Sequence, residues 1–187
     1  MSPYGGSLSY IMDSFHFTHN FLPPNIINNL VSKYSLWSDD DKPSDYWPDK
    51  TKSKNAVVKV QKLTKQEEVT IRDFLFESNR SVFQYDNRLK DCVFTVYKAE
   101  PGYVLSKHND HVAGSLTVFI TPNTVNNPGG DFVWYDVNDN KHIIKNNLNT
   151  GIQWKNLYKE PKANPYHETT VNNTDRFTLQ MFIMETE

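Results

Sequence analysis

Cysteine is almost missing from this chain: Cys92 is the single one in 187 residues. One thiol forms neither an internal disulfide nor a cysteine-based zinc site, so nothing points to an oxidising compartment. Cys92 sits in the apolar run Cys92-Val93-Phe94, where a buried and inert thiol is expected. An excess of one charge is lacking too, with 20 Lys and Arg against 22 Asp and Glu. No basic block marks a nucleic-acid or anionic-membrane surface, which makes nucleic acid an unlikely partner. The longest apolar runs are far too short to span a bilayer, so no membrane partner is expected. The N-terminus carries neither the charged region nor the apolar stretch of a signal peptide. Also missing are internal repeats, low-complexity tracts, a phosphate-cradling glycine loop and any Ser-His-Asp order. These absences leave a soluble protein, expected in the cytoplasm, with its oligomeric state open.

The length fits a single domain over residues 1–187, able to bury roughly 70% of the surface of the unfolded chain. Within it, residues 1–13 read as a loose arm, 14–85 as helical support with a loop, and 86–187 as a β-rich core. Met12 is a candidate natural start, which would make the residues before it a leader. After Pro23-Pro24, the residues Ile26, Ile27, Leu30, Val31 and Tyr34 recur at helical spacing, and prolines suit a first helical turn. Residues 37–55 read as a long surface loop whose Trp37, Tyr46 and Trp47 pack it down or meet a substrate. Val57, Val58 and Val60 predict a short strand. Thr64-x-x-Glu67 is a capping box for an amphipathic helix running to about Asn79.

From Leu89 onward, β-branched and aromatic runs alternate with Gly, Pro, Asn and Asp. The runs fall near 89–98, 103–108, 114–121, 131–136, 141–145, 150–154, 165–171 and 175–184. Eight short strands with turn punctuation predict a double sheet or jelly roll, braced by the two helices.

The chemistry is concentrated in Lys107-His108-Asn109-Asp110, taken with His167 and Arg176. A His and an Asp two residues apart on an extended segment share one face, leaving Asn109 on the other. A second, distant His completes two imidazoles and one carboxylate, the facial triad of non-haem Fe(II) sites with open positions opposite. Arg176 lies nine residues after His167, across a strand, a polar turn and a return, which can bring its guanidinium close to the metal. A buried Arg demands an anion, and its planar fork suits a carboxylate. His111 has the wrong parity to ligate beside His108. His142 reads as a surface turn residue, and His16 and His19 as structural or solvent-facing.

His108-x-Asp110, then His167 and Arg176, resembles the signature of Fe(II)/2-oxoglutarate-dependent oxygenases, and more narrowly their prolyl 4-hydroxylase-like branch. Tyr97-x-x-x-Pro101-Gly102-Tyr103 is similar to that branch's Tyr…Gly…Tyr lead-in. Pro128-Gly129-Gly130-Asp131-Phe132 resembles its Gly-Gly-acid turn, and Arg176 through Ile183 its closing strand. The resemblance covers about residues 85–185. It implies a double-stranded β-helix (jelly roll) with N-terminal supporting α-helices. It implies that His108, Asp110 and His167 hold Fe(II), and that Arg176 takes the far carboxylate of the co-substrate 2-oxoglutarate. Thr178 would add a hydrogen bond and Tyr97 a co-substrate contact, with Phe119 and Phe182 as apolar walls. O2 is the oxidant and ascorbate an accessory reductant. The implied reaction hydroxylates a C–H bond, on a prolyl residue of a peptide or protein, with decarboxylation of 2-oxoglutarate to succinate. Aromatic loop 37–47 and Asn123–Pro128 are candidate lids.

Some features depart from the pattern. Tyr97 to His108 is about one residue longer than in hypoxia-type prolyl hydroxylases, and collagen-type members carry Lys in place of Arg176. No second Arg follows Arg176 as in alkylation-repair members, and Asp110 argues against halogenation. Two other readings stay open: an oxygenase of a free amino acid or other small molecule, and a non-catalytic jelly-roll binding module.

Overall fold

The structure, a computed structural model, describes residues 15–35, 37, 58–124, 126–155 and 165–184. The expected arm over 1–13, and Tyr46 and Trp47 of the aromatic loop, lie outside the described residues.

Two helices precede the core. Helix α1 (Pro24–Tyr34) has proline in its first turn and buries Ile26, Ile27, Leu30 and Tyr34. Helix α2 (Lys65–Glu77) begins with the predicted capping box: the Thr64 hydroxyl accepts from the Glu67 N–H, and the Glu67 carboxylate accepts from the Thr64 N–H. The strands are β1 (Phe15–Thr18), β2 (Val58–Lys62), β3 (Val93–Ala99), β4 (Gly114–Phe119), β5 (Phe132–Tyr135), β6 (Lys141–Ile144), β7 (Gly151–Lys155), β8 (His167–Thr169) and β9 (Arg176–Ile183). They form a six-stranded sheet in the order β1-β7-β4-β9-β3-β2 and a three-stranded sheet in the order β6-β5-β8, with every pairing antiparallel.

Strand parity divides the large sheet into two faces. Phe94 and Val96, Leu116 and Val118, and Leu179 and Met181 join one core with Ile27 and Leu30 of α1 and Ile71 and Leu75 of α2. Each such side chain contributes about 1.5–3 kcal/mol on burial, which fixes the register of the three central strands. The alternate residues (Tyr97, Ala99, Thr117, Phe119, Arg176, Gln180) face a cavity. Phe132 and His167 of the small sheet close that cavity from the other side. This is the jelly-roll arrangement: two antiparallel sheets with a lined interior, and helices on the outer face of the larger one.

Three local expectations are corrected. Residues 103–108 are not a strand; His108 makes one isolated bridge, to His167. The Leu105 N–H is taken by the Thr169 hydroxyl at 2.9 Å in place of a backbone carbonyl, so no regular ladder forms there. The run from 89 becomes strand only at Val93, because Asn87–Asp91 is a 3-10 turn capped by the Asp86 carboxylate on the Arg88 N–H. His142 lies in β6, inside the expected 141–145 run, in place of a turn; its exposed ring stacks on Trp134 at 4.2 Å and meets Asp136 at 3.1 Å. An unforeseen strand, β1, pairs with β7. Trp37 is buried, and the rest of its loop lies outside the described residues. Among the described residues, no helix is long and apolar enough to cross a membrane.

Candidate metal centre and anion pocket

His167 opens β8, and reciprocal backbone hydrogen bonds hold the His108 segment against it. Asp110 follows two residues on, where the loop turns toward β4. The outcome is a cluster in which one ligand atom from each of His108, Asp110 and His167 lies within 4.8 Å of the other two. Asp110 Oδ1 is 3.6 Å from His108 Nε2 and 3.7 Å from His167 Nε2. The spacing leaves room for one ion between three donors, the two imidazoles and one carboxylate expected of a facial site.

The surroundings prepare these atoms. His108 Nδ1 faces the Ser106 carbonyl at 2.8 Å, and His167 Nδ1 faces the Pro165 carbonyl at 3.4 Å. A carbonyl only accepts, so each Nδ1 carries the proton and each Nε2 keeps its lone pair for a metal. Burial pushes the His167 imidazole down to about 4, so it is neutral at pH 7 and its contact with Asp110 is not an ion pair there. Burial also works to raise the Asp110 carboxyl; His108 and His167, whenever they take up a second proton on Nε2, and the Ser115 hydroxyl work the other way, and the net shift is downward. The Ser115 hydroxyl donates to Asp110 Oδ2 at 3.1 Å, leaving Oδ1 turned toward the histidines. Lys107 goes elsewhere: its ammonium lies 3.8 Å from the centre of the Tyr135 ring and pairs with Asp139 at 2.6 Å.

Arg176 lines the same cavity. It is 6% exposed, its Nη1 donates to the Gly130 carbonyl at 3.1 Å, and its Nε is buried with no partner among the described residues. Among the described residues no carboxylate pairs with it. Burial pushes its guanidinium down to about 10, partly offset by the Tyr103 phenol, so it remains a cation at pH 7. A buried, unneutralised guanidinium with an unused N–H is what a carboxylate ligand needs. Gly130 makes the approach possible: with φ at +64°, a Cβ there would lie 2.5 Å from Arg176 Cδ.

The other predicted contacts fall as follows. Tyr97, Phe119 and Phe182 line the cavity. Thr178 is buried on the same strand face and accepts from Gln180 Nε2 at 3.4 Å, but it does not itself line the cavity. His111 is exposed and stands apart from the cluster. Sequence reasoning places Tyr103 and Phe132 only in motifs and assigns no pocket role to them or to Trp154 and Gln180, yet all four line the cavity. Gln180 was accessible to it, since it shares parity with Arg176. Trp154 was not, since nothing in its own strand marks which face points inward.

No protein-family model matches the sequence, and no curated protein is similar to it in sequence. Solved structures are similar in shape. A prolyl hydroxylase from Trichoplax adhaerens, in complex with a hypoxia inducible factor oxygen degradation domain peptide fragment, matches with TM-score 0.69 at 12% identity, over 95% of this chain and 87% of that one. A prolyl-4-hydroxylase from Pseudomonas putida matches with TM-score 0.66 at 13% identity, over 96% of this chain and 100% of its own. A 2OG-Fe(II) oxygenase family oxidoreductase from Burkholderia pseudomallei matches with TM-score 0.55 at 11% identity, over 97% and 91%. This chain therefore has the jelly-roll fold of the prolyl 4-hydroxylases and 2OG-Fe(II) oxygenases.

Proposed function

We propose that this chain is an Fe(II)/2-oxoglutarate-dependent dioxygenase that hydroxylates a prolyl residue of a peptide or protein. The observation that carries the reading is one cavity holding two separate, unspent functions. One is a His-Asp-His cluster with metal-ready atoms; the other is a buried guanidinium with no carboxylate partner among the described residues. A jelly-roll binding module has no need of both. The peptide substrate is supported by the Trichoplax adhaerens neighbour, whose structure contains a peptide fragment.

His108, Asp110 and His167 would hold the iron, which supplies oxygen activation coupled to the decarboxylation of 2-oxoglutarate. The balanced reaction takes R–H, O2 and 2-oxoglutarate to R–OH, succinate and CO2. The chain's own residues bind, orient and shield. Arg176 takes the far carboxylate of the co-substrate, with Thr178 behind it on the strand and Tyr97 as a further contact. Phe119, Phe132 and Trp154 make the lining apolar, which strengthens the Arg176 attraction and keeps bulk water from the reacting groups. Ascorbate fits as an accessory reductant that keeps the metal ferrous.

The test is anaerobic titration of the Fe(II)-loaded protein with 2-oxoglutarate, followed by its visible charge-transfer absorption. A band that is lost in Asp110→Ala is expected. Failure of wild type to bind iron or give the band would leave the binding-module reading. Succinate release stimulated by a free amino acid and not by prolyl peptides would move the substrate to the small-molecule class.

A further inference from the structure

Arg176 is held by neutral groups, and one residue organises them. Asn172, in the turn between β8 and β9, is 2% exposed. Its Nδ2 donates to the Ala99 carbonyl at 3.0 Å and to the Glu100 carbonyl at 3.2 Å. Its backbone N–H donates to the Tyr103 carbonyl at 3.0 Å, and its carbonyl accepts from the Gly102 N–H at 2.8 Å. It also forms a bridge with Gly129. One side chain and its own peptide groups thus tie together the end of β3, the Gly102–Tyr103 turn and the Gly129–Gly130 turn. All three bound the Arg176 end of the cavity: Ala99 is Arg176's partner across the sheet, Tyr103 shares the cavity lining, and Gly130 accepts its hydrogen bond.

The remaining polar atom of that side chain, Asn172 Oδ1, is buried with no partner among the described residues. A Cβ placed on Gly130 would lie 2.3 Å from Asn172 Oδ1 and 2.5 Å from Arg176 Cδ, so oxygen and arginine side chain both occupy the space beside the bare α-carbon of Gly130. An unspent acceptor and, on Arg176 Nε, an unspent donor therefore flank one glycine. A structural arginine in this setting would face a carboxylate, which would neutralise it. An amide of the same shape fixes the surroundings without doing so.

We propose that Asn172 is the positioning residue of the anion pocket, holding Arg176 in a charge-neutral cradle so that its full charge is presented to a dicarboxylate 2-oxo acid. The proposal rests on the reading of Arg176 as the subsite for the far carboxylate. It makes Asn172→Asp, an isosteric change, the most damaging substitution there. The new carboxylate would pair with Arg176 and compete with the ligand from within the fold.

The experiment is calorimetric titration of the full, Fe(II)-loaded chain under nitrogen with two ligands. They are 2-oxoglutarate and 2-oxobutanoate, which keeps the keto acid and lacks the far carboxylate. Charge-assisted pairing predicts a loss of 2-oxoglutarate affinity of about 30-fold or more in Asn172→Asp and about 5- to 10-fold in Asn172→Ala. Affinity for 2-oxobutanoate is expected to stay within about twofold in both, because that ligand does not use the far pocket. Equal losses for the two ligands would make Asn172 a merely structural residue and overturn the proposal. So would an Asp variant that binds 2-oxoglutarate as well as the Ala variant. Should the Asp variant fail to fold, the Ala variant alone decides by the same comparison of ligands. Arg176→Gln separates the two readings. If it leaves the preference for 2-oxoglutarate intact, the anion subsite itself is misplaced and both fall; if it abolishes the preference while the Asn172 variants do not, only the proposal falls.

Discussion

His108 and His167 are joined through their backbones: the His108 N–H donates to the His167 carbonyl at 2.9 Å, and the His167 N–H returns the bond at 2.8 Å. The two imidazoles stand 4.3 Å apart, centre to centre, as a consequence of that bridge. None of these bonds involves a side chain. His108→Ala is therefore expected to keep the fold, within about 1 kcal/mol for a partly exposed residue, while losing metal binding. His167→Ala should lose metal as well, with a further loss of packing because its ring stacks on Phe132 at 5.3 Å. Metal titration alongside thermal unfolding separates the two effects. Normal iron binding in both variants would remove them from the site.

Ser115 acts on the metal through Asp110. Its hydroxyl is the donor on Asp110 Oδ2, and the residue is fully buried on β4. Partners of this kind typically change metal affinity about 10- to 100-fold. Ser115→Ala should weaken Fe(II) binding by the lower end of that range, with little change in stability, as read by competition with a chelating indicator. An unchanged affinity would mean that Asp110 needs no orienting partner.

Glu67 should contribute acid sensitivity. Burial works to raise its carboxyl, but the Lys33 ammonium and the Thr64 N–H and hydroxyl outweigh it, so its net shift is downward. A carboxyl depressed in the folded state contributes stability that is present above the unfolded value of 4.5 and is lost as pH falls through the folded one. Glu67→Gln keeps the side-chain oxygen that accepts from the Thr64 N–H, so it should cost only about 0.5 kcal/mol at neutral pH, the part that depends on the charge facing Lys33. It should also flatten the decline in stability below that value. Chemical denaturation at neutral and acid pH measures both, and equal slopes for wild type and variant would count against the assignment.

What could be read from the chain was set by how local the signal is. The capping box, the α1 apolar stripe and the His108-x-Asp110 pair are encoded within a few residues each, and the structure contains all three. The 103–108 segment misled because Tyr103, Val104 and Leu105 form a short aromatic and apolar run after Pro101-Gly102, as a strand's residues would, while its hydrogen bonds go to the Thr169 hydroxyl and the Asn172 turn. Those partners lie more than sixty residues away, and no local pattern announces them. The pocket roles of Phe132 and Trp154 were missed for the same reason. Which face of a strand looks inward depends on the opposing sheet unless a marked residue such as Arg176 sets the phase.

Arg176 gives the sharpest separation of stability from function. A buried cation without a carboxylate partner costs folding free energy, and replacing buried charges with apolar residues of similar size is neutral or stabilising by about 1–4 kcal/mol. Its guanidinium is pushed down by burial, which has the same sign: the folded state disfavours the charged form, so the penalty is present at neutral pH and fades only as pH rises past about 10. Arg176→Met should therefore unfold at the same temperature as wild type or higher. Losing the charge-assisted pair should at the same time weaken 2-oxoglutarate binding by about 2–5 kcal/mol. Calorimetric binding and thermal unfolding of one variant test both halves. A variant that loses stability would show that Arg176 is a structural residue, paired by a carboxylate beyond the described residues. A more stable protein that no longer holds its co-substrate would identify a charge retained for the ligand.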